Sequence, residues 1–379
     1  MNFTPGAHDG YYLSRTRLSL MVRPTPWLKF FGEGQDGRVL GYNASTQPAN
    51  MHNALDLRQG FIDLSTEDRH GFGLRIGRQE LVLGSARLIG VSDWGLSRTF
   101  DGARASFYQT GLKIDVMAIT PVLLDPSRVD RKRPGDRLAG SYITLDKWGP
   151  ELVIEPYVFV RRQIRIACEN GRIGDAMVGT AGFRVLGKLP GRIDYSAELA
   201  RQWGSYAGDS ISSMAGAYVA GWTVNGSPGK PRLSVEYDHA SGDRASNDGH
   251  RQTFDQLYSH NPNSTAVANL MGWRNMRNPR AGFEFLMTKK WKVQADINEF
   301  YLATTQDSYY NAYGVRLALN RNATSRHVGS AIDVTNIFQL TKTVSVSAGI
   351  VHLFPGEYLK QSTPGSGYNY PYLAWTKRI

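Results

Sequence analysis

The sequence has few of the features that mark the common protein classes. Its single cysteine, Cys168, cannot form an intrachain disulfide, so cysteine content leaves the compartment open. No run approaches the ~18–20 apolar residues that a membrane-spanning helix requires, which excludes a helical membrane protein. Residues 1–5 lack the basic and apolar regions of a secretory signal peptide. Lys and Arg outnumber Asp and Glu by 44 to 33, but they stand singly, which argues against a nucleic-acid partner.

What the sequence does contain is a regular alternation of polar and apolar residues. Arg15 and Arg17 alternate with Leu18 and Leu20, and this period of two returns along the chain. It is clear in residues 110–120, 151–161, 191–202, 231–238, 291–298 and 343–350. The pattern predicts an all-β protein. One hairpin alone fits either a soluble sheet with its arginines in water or a membrane barrel with its leucines in lipid.

The connections between these segments favour the barrel. Short turns, at residues such as 23–26, 187–191 and 288–290, alternate with long polar connections at 35–52, 85–96, 121–139, 162–174, 204–210, 240–279, 304–326 and 355–367. Short turns at one end and long loops at the other are typical of outer-membrane barrels. Most tryptophans lie near the short turns or the C-terminus, where their rings would meet the lipid–water boundary: Trp27, Trp148, Trp222, Trp291 and Trp375. The sequence therefore predicts a transmembrane antiparallel β-barrel.

The strand count predicts a single barrel over residues 1–379 that lacks its beginning. We count about 17 strands, and the first, near residues 10–22, leads into a short turn and so runs toward the periplasm. The last strand ends on the same side. An even-numbered barrel with both ends in the periplasm begins with a strand that runs outward. We therefore expect a parent barrel of about 18 strands, from which the signal peptide and the first strand are missing.

Several motifs resemble the alginate export family of outer-membrane proteins, over nearly the whole chain. They are DLRQGFIDL (56–64), LRIGRQELVLGSARL (74–88), RTFDGARAS (98–106), PRLSVEYDHASGDR (231–244), TFDQLYSHNPN (253–263), GWRNMRNPRAGFEF (272–285) and LFPGEYLK (353–360). The resemblance implies a barrel of about 18 strands in the bacterial outer membrane, with an Arg-rich lumen that passes an acidic polysaccharide. Two features depart from the family: the turns are too short for the exporter's periplasmic plug, and TKRI replaces the usual terminal aromatic residue.

In the barrel register, the alternation turns one set of cations toward the lumen. These residues form the candidate substrate track: Arg15, Arg17, Arg58, Arg75, Arg104, Lys113, Arg161 and Arg184. The candidate acidic partners are Asp56, Asp115, Glu155, Asp194, Glu198 and Glu236. Arginine stays charged and grips carboxylates bidentately, so a narrow ring of arginines would attract uronate, sulfate or carboxylate groups. The alternative for each residue is a structural ion pair that supports the wall. The orientation of Arg78, Arg87 and Arg98 stays open.

Residues 240–279 form the longest predicted loop. Its aromatic residues Phe254, Tyr258 and Trp273 predict that the loop folds on itself and caps or constricts the mouth of the barrel. Three oxygen-bearing side chains in the same segment are a candidate cation site, although their spacing is not that of an EF-hand loop: Asp243, Asn247 and Asp248. An ordinary turn cluster is the alternative.

The predicted function is a passive outer-membrane channel for anionic or polar solutes, such as an exported acidic polysaccharide like alginate. Its partners would be outer-membrane lipid and lipopolysaccharide, an anionic polysaccharide or small anionic solute, and the barrel-insertion machinery. The alternative is a surface-exposed binding or adhesion protein that uses the barrel as an anchor. The sequence has no HExxH motif, phosphate-binding loop or nucleophile elbow, so we expect no enzyme, no catalytic residue and no cofactor.

Overall fold

The computed structural model describes residues 3–6, 10–42, 51–65, 70–91, 96–168, 171–224, 226–260 and 268–378. The strands are β1 (Tyr12–Thr25), β2 (Leu28–Leu40), β3 (Asn53–Leu64), β4 (Gly71–Gln79), β5 (Phe100–Gln109), β6 (Leu112–Leu123), β7 (Arg131–Lys132), β8 (Asp136–Leu145), β9 (Val153–Ala167), β10 (Ile173–Leu189), β11 (Ile193–Tyr206), β12 (Asp209–Thr223), β13 (Arg232–Ala240), β14 (His250–Arg251), β15 (Met276–Thr288), β16 (Trp291–Leu302), β17 (Tyr309–Tyr310), β18 (Arg316–Ala318), β19 (His327–Gln339), β20 (Val344–Pro355) and β21 (Tyr368–Lys377). A short helix, α1 (Glu357–Ser362), precedes the last strand. Parts of the predicted turns and loops, at 43–50, 66–69, 92–95 and 261–267, lie outside the described residues.

The long strands form one continuous antiparallel ladder. Each pairs with the next long strand along the chain, from β1 to β21. Apart from the two- and three-residue strands β7, β14, β17 and β18, the described residues contain 17 strands, as predicted. The Tyr11 and Tyr370 hydroxyls lie 2.9 Å apart, so the first and last strands of the ladder come close together. The expected further strand upstream of β1 stays a prediction.

In this barrel apolar side chains are exposed and charged side chains are buried, which is the reverse of a soluble sheet. Leu18 and Leu20 on β1 are 74% and 70% exposed, whereas Arg58 and Asp115 are only 5% and 2% exposed. The apolar face therefore points outward and the charged face points into the barrel, which is the arrangement of a barrel in lipid. No helix among the described residues is long and apolar enough to cross a membrane.

Aromatic residues mark the short-turn end of the outer face. Trp27 lies beside the β1–β2 turn and Trp222 near the end of β12, and both are exposed. Trp148 and Trp375 are also exposed near this end. Because indole rings favour the lipid–water boundary, these positions agree with the predicted girdle.

Two of the predicted long connections are wrong. Residues 204–210 contain only a two-residue turn, Ala207-Gly208, between β11 and β12. Both residues have positive φ, 49° and 97°, as a tight hairpin turn of type I′ requires. Most of 162–174 is also strand, because β9 continues to Ala167 and β10 starts at Ile173.

An apolar core fills part of the barrel at its loop end. Inward residues at the strand ends, such as Met276 and Phe300, pack with loop residues such as Leu270 and with Tyr358 of α1. All four are at most 1% exposed. The loops at this end are therefore folded into the barrel over these strands, and they determine the shape of its interior.

Candidate functional site

In the connection between β4 and β5, which we call the β4–β5 loop, the described residues 80–91 and 96–99 fold into the barrel. Leu81, Leu88 and Ile89 are at most 4% exposed, although they lie in a connection and not in a strand. Burial of these apolar side chains holds the loop inside because it removes them from water. The Ser85 hydroxyl donates a hydrogen bond to Glu198 on β11, at 2.9 Å, and so attaches the loop to the far wall.

Arg87 is the main ionic attachment of the β4–β5 loop. Its guanidinium pairs with Glu236 and lies 3.0 Å from the Asp238 carboxylate, both on β13, and it packs over the Trp273 ring. Arg87 is 6% exposed and Asp238 is fully buried. Burial alone would lower the pKa of Arg87, but the Asp238 and Glu236 carboxylates raise it above its ordinary value. The loop is therefore held across the barrel by a buried cation with two carboxylate partners.

In the connection between β13 and β15, which we call the long loop, the described residues 241–260 and 268–275 also fold inward, and the predicted Phe254, Tyr258 and Trp273 are buried. Its Asp255 carboxylate lies 3.1 Å from Arg161 on β9 and 3.3 Å from Arg274. Gln202 on β11 donates to the Asp255 carbonyl, at 2.7 Å. Burial would raise the pKa of Asp255, but the two guanidiniums lower it below its usual range, so the carboxylate stays ionised near neutral pH.

The two inward loops are hydrogen-bonded to each other. Tyr258 of the long loop donates its backbone N–H to the Leu88 carbonyl, at 2.8 Å, and accepts from the Gly90 N–H, at 3.1 Å. The Tyr258 hydroxyl donates to Asp136 on β8, at 2.6 Å. One tyrosine thus connects both loops to the wall, and we call this junction the constriction.

Two arginines share the ring of Tyr258 at the constriction. The guanidinium carbon of Arg161 lies 4.6 Å from the ring centroid and that of Arg98 lies 5.5 Å from it. Arg161 has two carboxylate partners, Asp136 at 2.8 Å and Asp255. Arg98 has none within salt-bridge distance among the described residues. Burial and the neighbouring Arg161 lower the pKa of Arg98, although an arginine remains protonated at neutral pH.

The structure places the predicted cationic track on the inward face and gives most of its members carboxylate partners. Arg58 pairs with Glu33 at 2.7 Å and with Glu80 of the β4–β5 loop. Arg184 pairs with Glu155 at 2.6 Å. Arg17 donates to the Gln35 amide oxygen at 2.7 Å, two residues from Arg15 on the same strand. Whether these residues contact a solute stays a prediction.

On β3 to β6, two cations share each of two carboxylates. The Asp63 carboxylate lies 2.8 Å from Arg75 Nε and 3.7 Å from Lys29 Nζ. The Asp115 carboxylate lies 2.6 Å from Lys113 Nζ and 3.9 Å from Arg104 Nε. A carboxylate shared by two cations leaves one positive charge uncompensated. This part of the inner wall is therefore cationic.

The inner wall from β11 to β15 has the opposite balance. Arg280 pairs with two carboxylates, Glu236 at 2.7 Å and Asp296 at 2.7 Å. Arg87 also pairs with two, Glu236 and Asp238. Of the predicted acidic partners, Asp194 pairs with Arg232 at 2.6 Å. Glu198 accepts a hydrogen bond from the Tyr157 hydroxyl at 3.1 Å. The predicted partner Asp56 instead accepts from the Asp130 backbone N–H, at 2.5 Å. Charge is thus distributed unequally across the interior.

The candidate cation residues lie in separate turn interactions. Asp243 donates its backbone N–H to Asp307, at 3.0 Å, and Asp248 accepts from the His250 N–H, at 2.8 Å. Asn247 has positive φ, 66°. Within the part of the chain that the structure describes, no three His, Cys, Asp or Glu side chains are grouped to hold a metal ion.

Sequence reasoning did not identify Arg98 and Arg87 as interior residues, because neither lies within an alternating strand. One signal was available. The segment LVLGSARL (81–88) is more apolar than a loop exposed to water would be, which indicates a connection that is buried.

A barrel with an apolar outer face, a charged inner face and interlocked inward loops is a channel for solutes in the bacterial outer membrane. The chain belongs to the alginate export family, whose model matches residues 2–372. Comparison with curated protein sequences finds no match.

Solved structures with a similar fold are outer-membrane proteins of Pseudomonas aeruginosa. OccD3 (OpdP) has a TM-score of 0.65 at 12% identity, over 97% of this chain and 86% of that chain. OccK11 (OpdR) has a TM-score of 0.59 at 11% identity, over 97% and 94% of the two chains. OpdK, solved with vanillate, has a TM-score of 0.60 at 12% identity, over 97% and 95%. Identities this low establish a shared fold and nothing more specific.

Proposed function

We propose that the protein is a passive, anion-selective channel, and that its solutes are carboxylated, with oligomers of an acidic polysaccharide such as alginate as the candidate class. The observation that carries this proposal is Arg98, a partly exposed cation at the constriction without a carboxylate partner among the described residues. An anion that reaches the constriction would meet a charge that no carboxylate among the described residues pairs with.

The charge balance of the inner wall supports the same direction of selectivity. The shared carboxylates Asp63 and Asp115 leave positive charge on β3 to β6, on the same side as Arg15 and Arg17. A charged solute would follow this cationic strip past the acidic wall opposite. Well-paired members such as Arg58 and Arg184 serve mainly to support the wall, because their charge is already compensated.

Weak and repeated contacts suit transport better than one tight site. A solute must leave each cation as easily as it arrives, so conduction requires several shallow sites. Arginines partly compensated by shared carboxylates supply such sites. The family membership makes a uronate chain the natural candidate, because its carboxylates recur at regular intervals along the polymer.

Block of single-channel current by oligosaccharides tests this proposal. We expect trigalacturonate, added to the purified protein in a planar bilayer, to interrupt the current in brief, concentration-dependent events. Maltotriose, a neutral oligosaccharide of the same length, is the control and should produce few events. Equal block by both sugars would contradict a charge-selective lumen, and the absence of any conductance would favour the alternative of a barrel that serves only as an anchor.

A further inference from the structure

The outer face of the barrel carries a group of exposed arginines at the loop end of β8 to β15. Each is exposed while its strand neighbours are buried, apart from the half-buried Gln163, so these arginines point outward: Arg137 on β8, Arg162 on β9, Arg201 on β11 and Arg277 on β15. We call them the arginine patch. Charge on a lipid-facing wall is costly at mid-membrane and becomes tolerable only near the interface, where these residues lie.

Two members of the arginine patch stand directly opposite each other. Arg137 and Arg162 are cross-strand partners in the β8–β9 ladder. Like charges at directly opposed positions destabilise an antiparallel pair unless a counter-charge lies between them. Arg162 has one carboxylate neighbour, Asp175 at 3.5 Å.

The other members have no carboxylate within salt-bridge distance among the described residues. Arg201 donates to the Ser212 hydroxyl, at 2.8 Å, which leaves its charge uncompensated. Arg277 is exposed, with His239 and Tyr301 as its cross-strand neighbours. The patch therefore presents four guanidiniums and one carboxylate.

Two other outward arginines near the loop end are paired with carboxylates. Arg38 on β2 donates to the Asp36 carboxylate through Nε, at 2.9 Å, and Nη2, at 2.8 Å. Arg78 on β4 binds its cross-strand partner Asp101, at 2.8 Å. Arg38 and Arg78 thus differ from Arg201 and Arg277, for which no carboxylate lies within salt-bridge distance among the described residues.

We propose that the arginine patch binds the phosphorylated headgroups of lipids in the outer leaflet. Guanidinium groups bind phosphate bidentately, and a phosphate between Arg137 and Arg162 would relieve their repulsion. The strand residues nearer the membrane centre are exposed and apolar, as acyl chains require; Val160 and Val235 are 43% and 62% exposed. The exposed Trp203 and Tyr301 at the same height mark the interface. This site lies outside the lumen and does not depend on the proposed solute.

Lipid binding to the purified protein in detergent tests the proposal. Native mass spectrometry would compare bisphosphorylated lipid A with the same lipid stripped of its phosphates. We expect wild type to bind lipid A about tenfold more tightly than either R137Q/R162Q or R201Q/R277Q. The matched control, R38Q, removes an outward arginine that has its own carboxylate and should bind like wild type. The dephosphorylated lipid should bind all variants equally weakly.

Several results would overturn the lipid site. Equal binding of lipid A by wild type and both double variants would do so, as would equal binding of the dephosphorylated lipid. Displacement of the lipid by inorganic phosphate at the same concentration would show a site for free phosphate instead. A change of oligomeric state in the variants without a change in lipid binding would assign the patch to a second copy of the chain. Single-channel conductance should stay unchanged in both double variants, so failure here and failure of the channel proposal are distinguishable.

Discussion

Replacement of Arg87 by methionine should lower the free energy of unfolding by about 3–5 kcal/mol, the cost of breaking a buried ion pair. The side chain is 6% exposed, and its removal leaves Glu236 and Asp238 without this partner. Asp238 is the more severe case, because it is fully buried, whereas Glu236 keeps its pair with Arg280. Methionine fills similar volume, so the loss measures charge and not a cavity. Equilibrium unfolding in urea, in lipid vesicles, gives the value.

The same variant should also change conduction. Arg87 holds the β4–β5 loop to β13, so its loss should raise single-channel conductance as the loop leaves its position. The matched control is Arg38→Met, whose exposed pair with Asp36 is screened by solvent and should contribute little to stability. If both variants lost the same stability, or if Arg87→Met conducted like wild type, the loop would not be held by this residue.

Replacement of Arg98 by glutamine should lower the anion-to-cation permeability ratio by about five- to tenfold. The substitution removes the one constriction charge that has no carboxylate partner among the described residues. In a partly solvated site a unit charge interacts with a passing ion by about 1 kcal/mol or more, after screening by salt. Reversal potentials in a salt gradient measure the ratio.

The effect of Arg98→Gln should depend on ionic strength and on position. It should shrink at high salt, because screening shortens the reach of every exposed charge. Arg38→Gln removes the same charge from the outer face, and its permeability ratio should match wild type. A ratio that is unchanged in Arg98→Gln, or equally lowered in both variants, would remove Arg98 from the conduction pathway.

The strands were predictable because lipid on one side and water on the other impose a strict period of two. Arg17 and Leu18 show it directly: one donates to Gln35 inside the barrel, and the other is 74% exposed outside. The loops follow no such rule. The sequence predicts a long connection at the turn Ala207-Gly208, because the turn lacks the Asn-Gly or Asp-Gly pair that is typical of a type I′ turn.

The site was only partly predictable, for a related reason. Alternation places Arg75 and Lys113 on the inner face, but it does not reveal that Asp63 and Asp115 are each shared by two cations. Arg98 owes its position to contact with Tyr258, 160 residues away along the chain. Contacts between two irregular loops have no period, and a single sequence therefore cannot supply them.

The reversal potential of the wild-type channel tests the central claim most directly. A planar bilayer that contains the purified protein separates two KCl solutions of different concentration. The voltage at zero current gives the ratio of chloride to potassium permeability. The positive charge of Arg98 and of β3 to β6 predicts that chloride is more permeant than potassium, so the reversal potential should have the sign of the chloride equilibrium potential. A voltage of the opposite sign, set by potassium, would contradict the account.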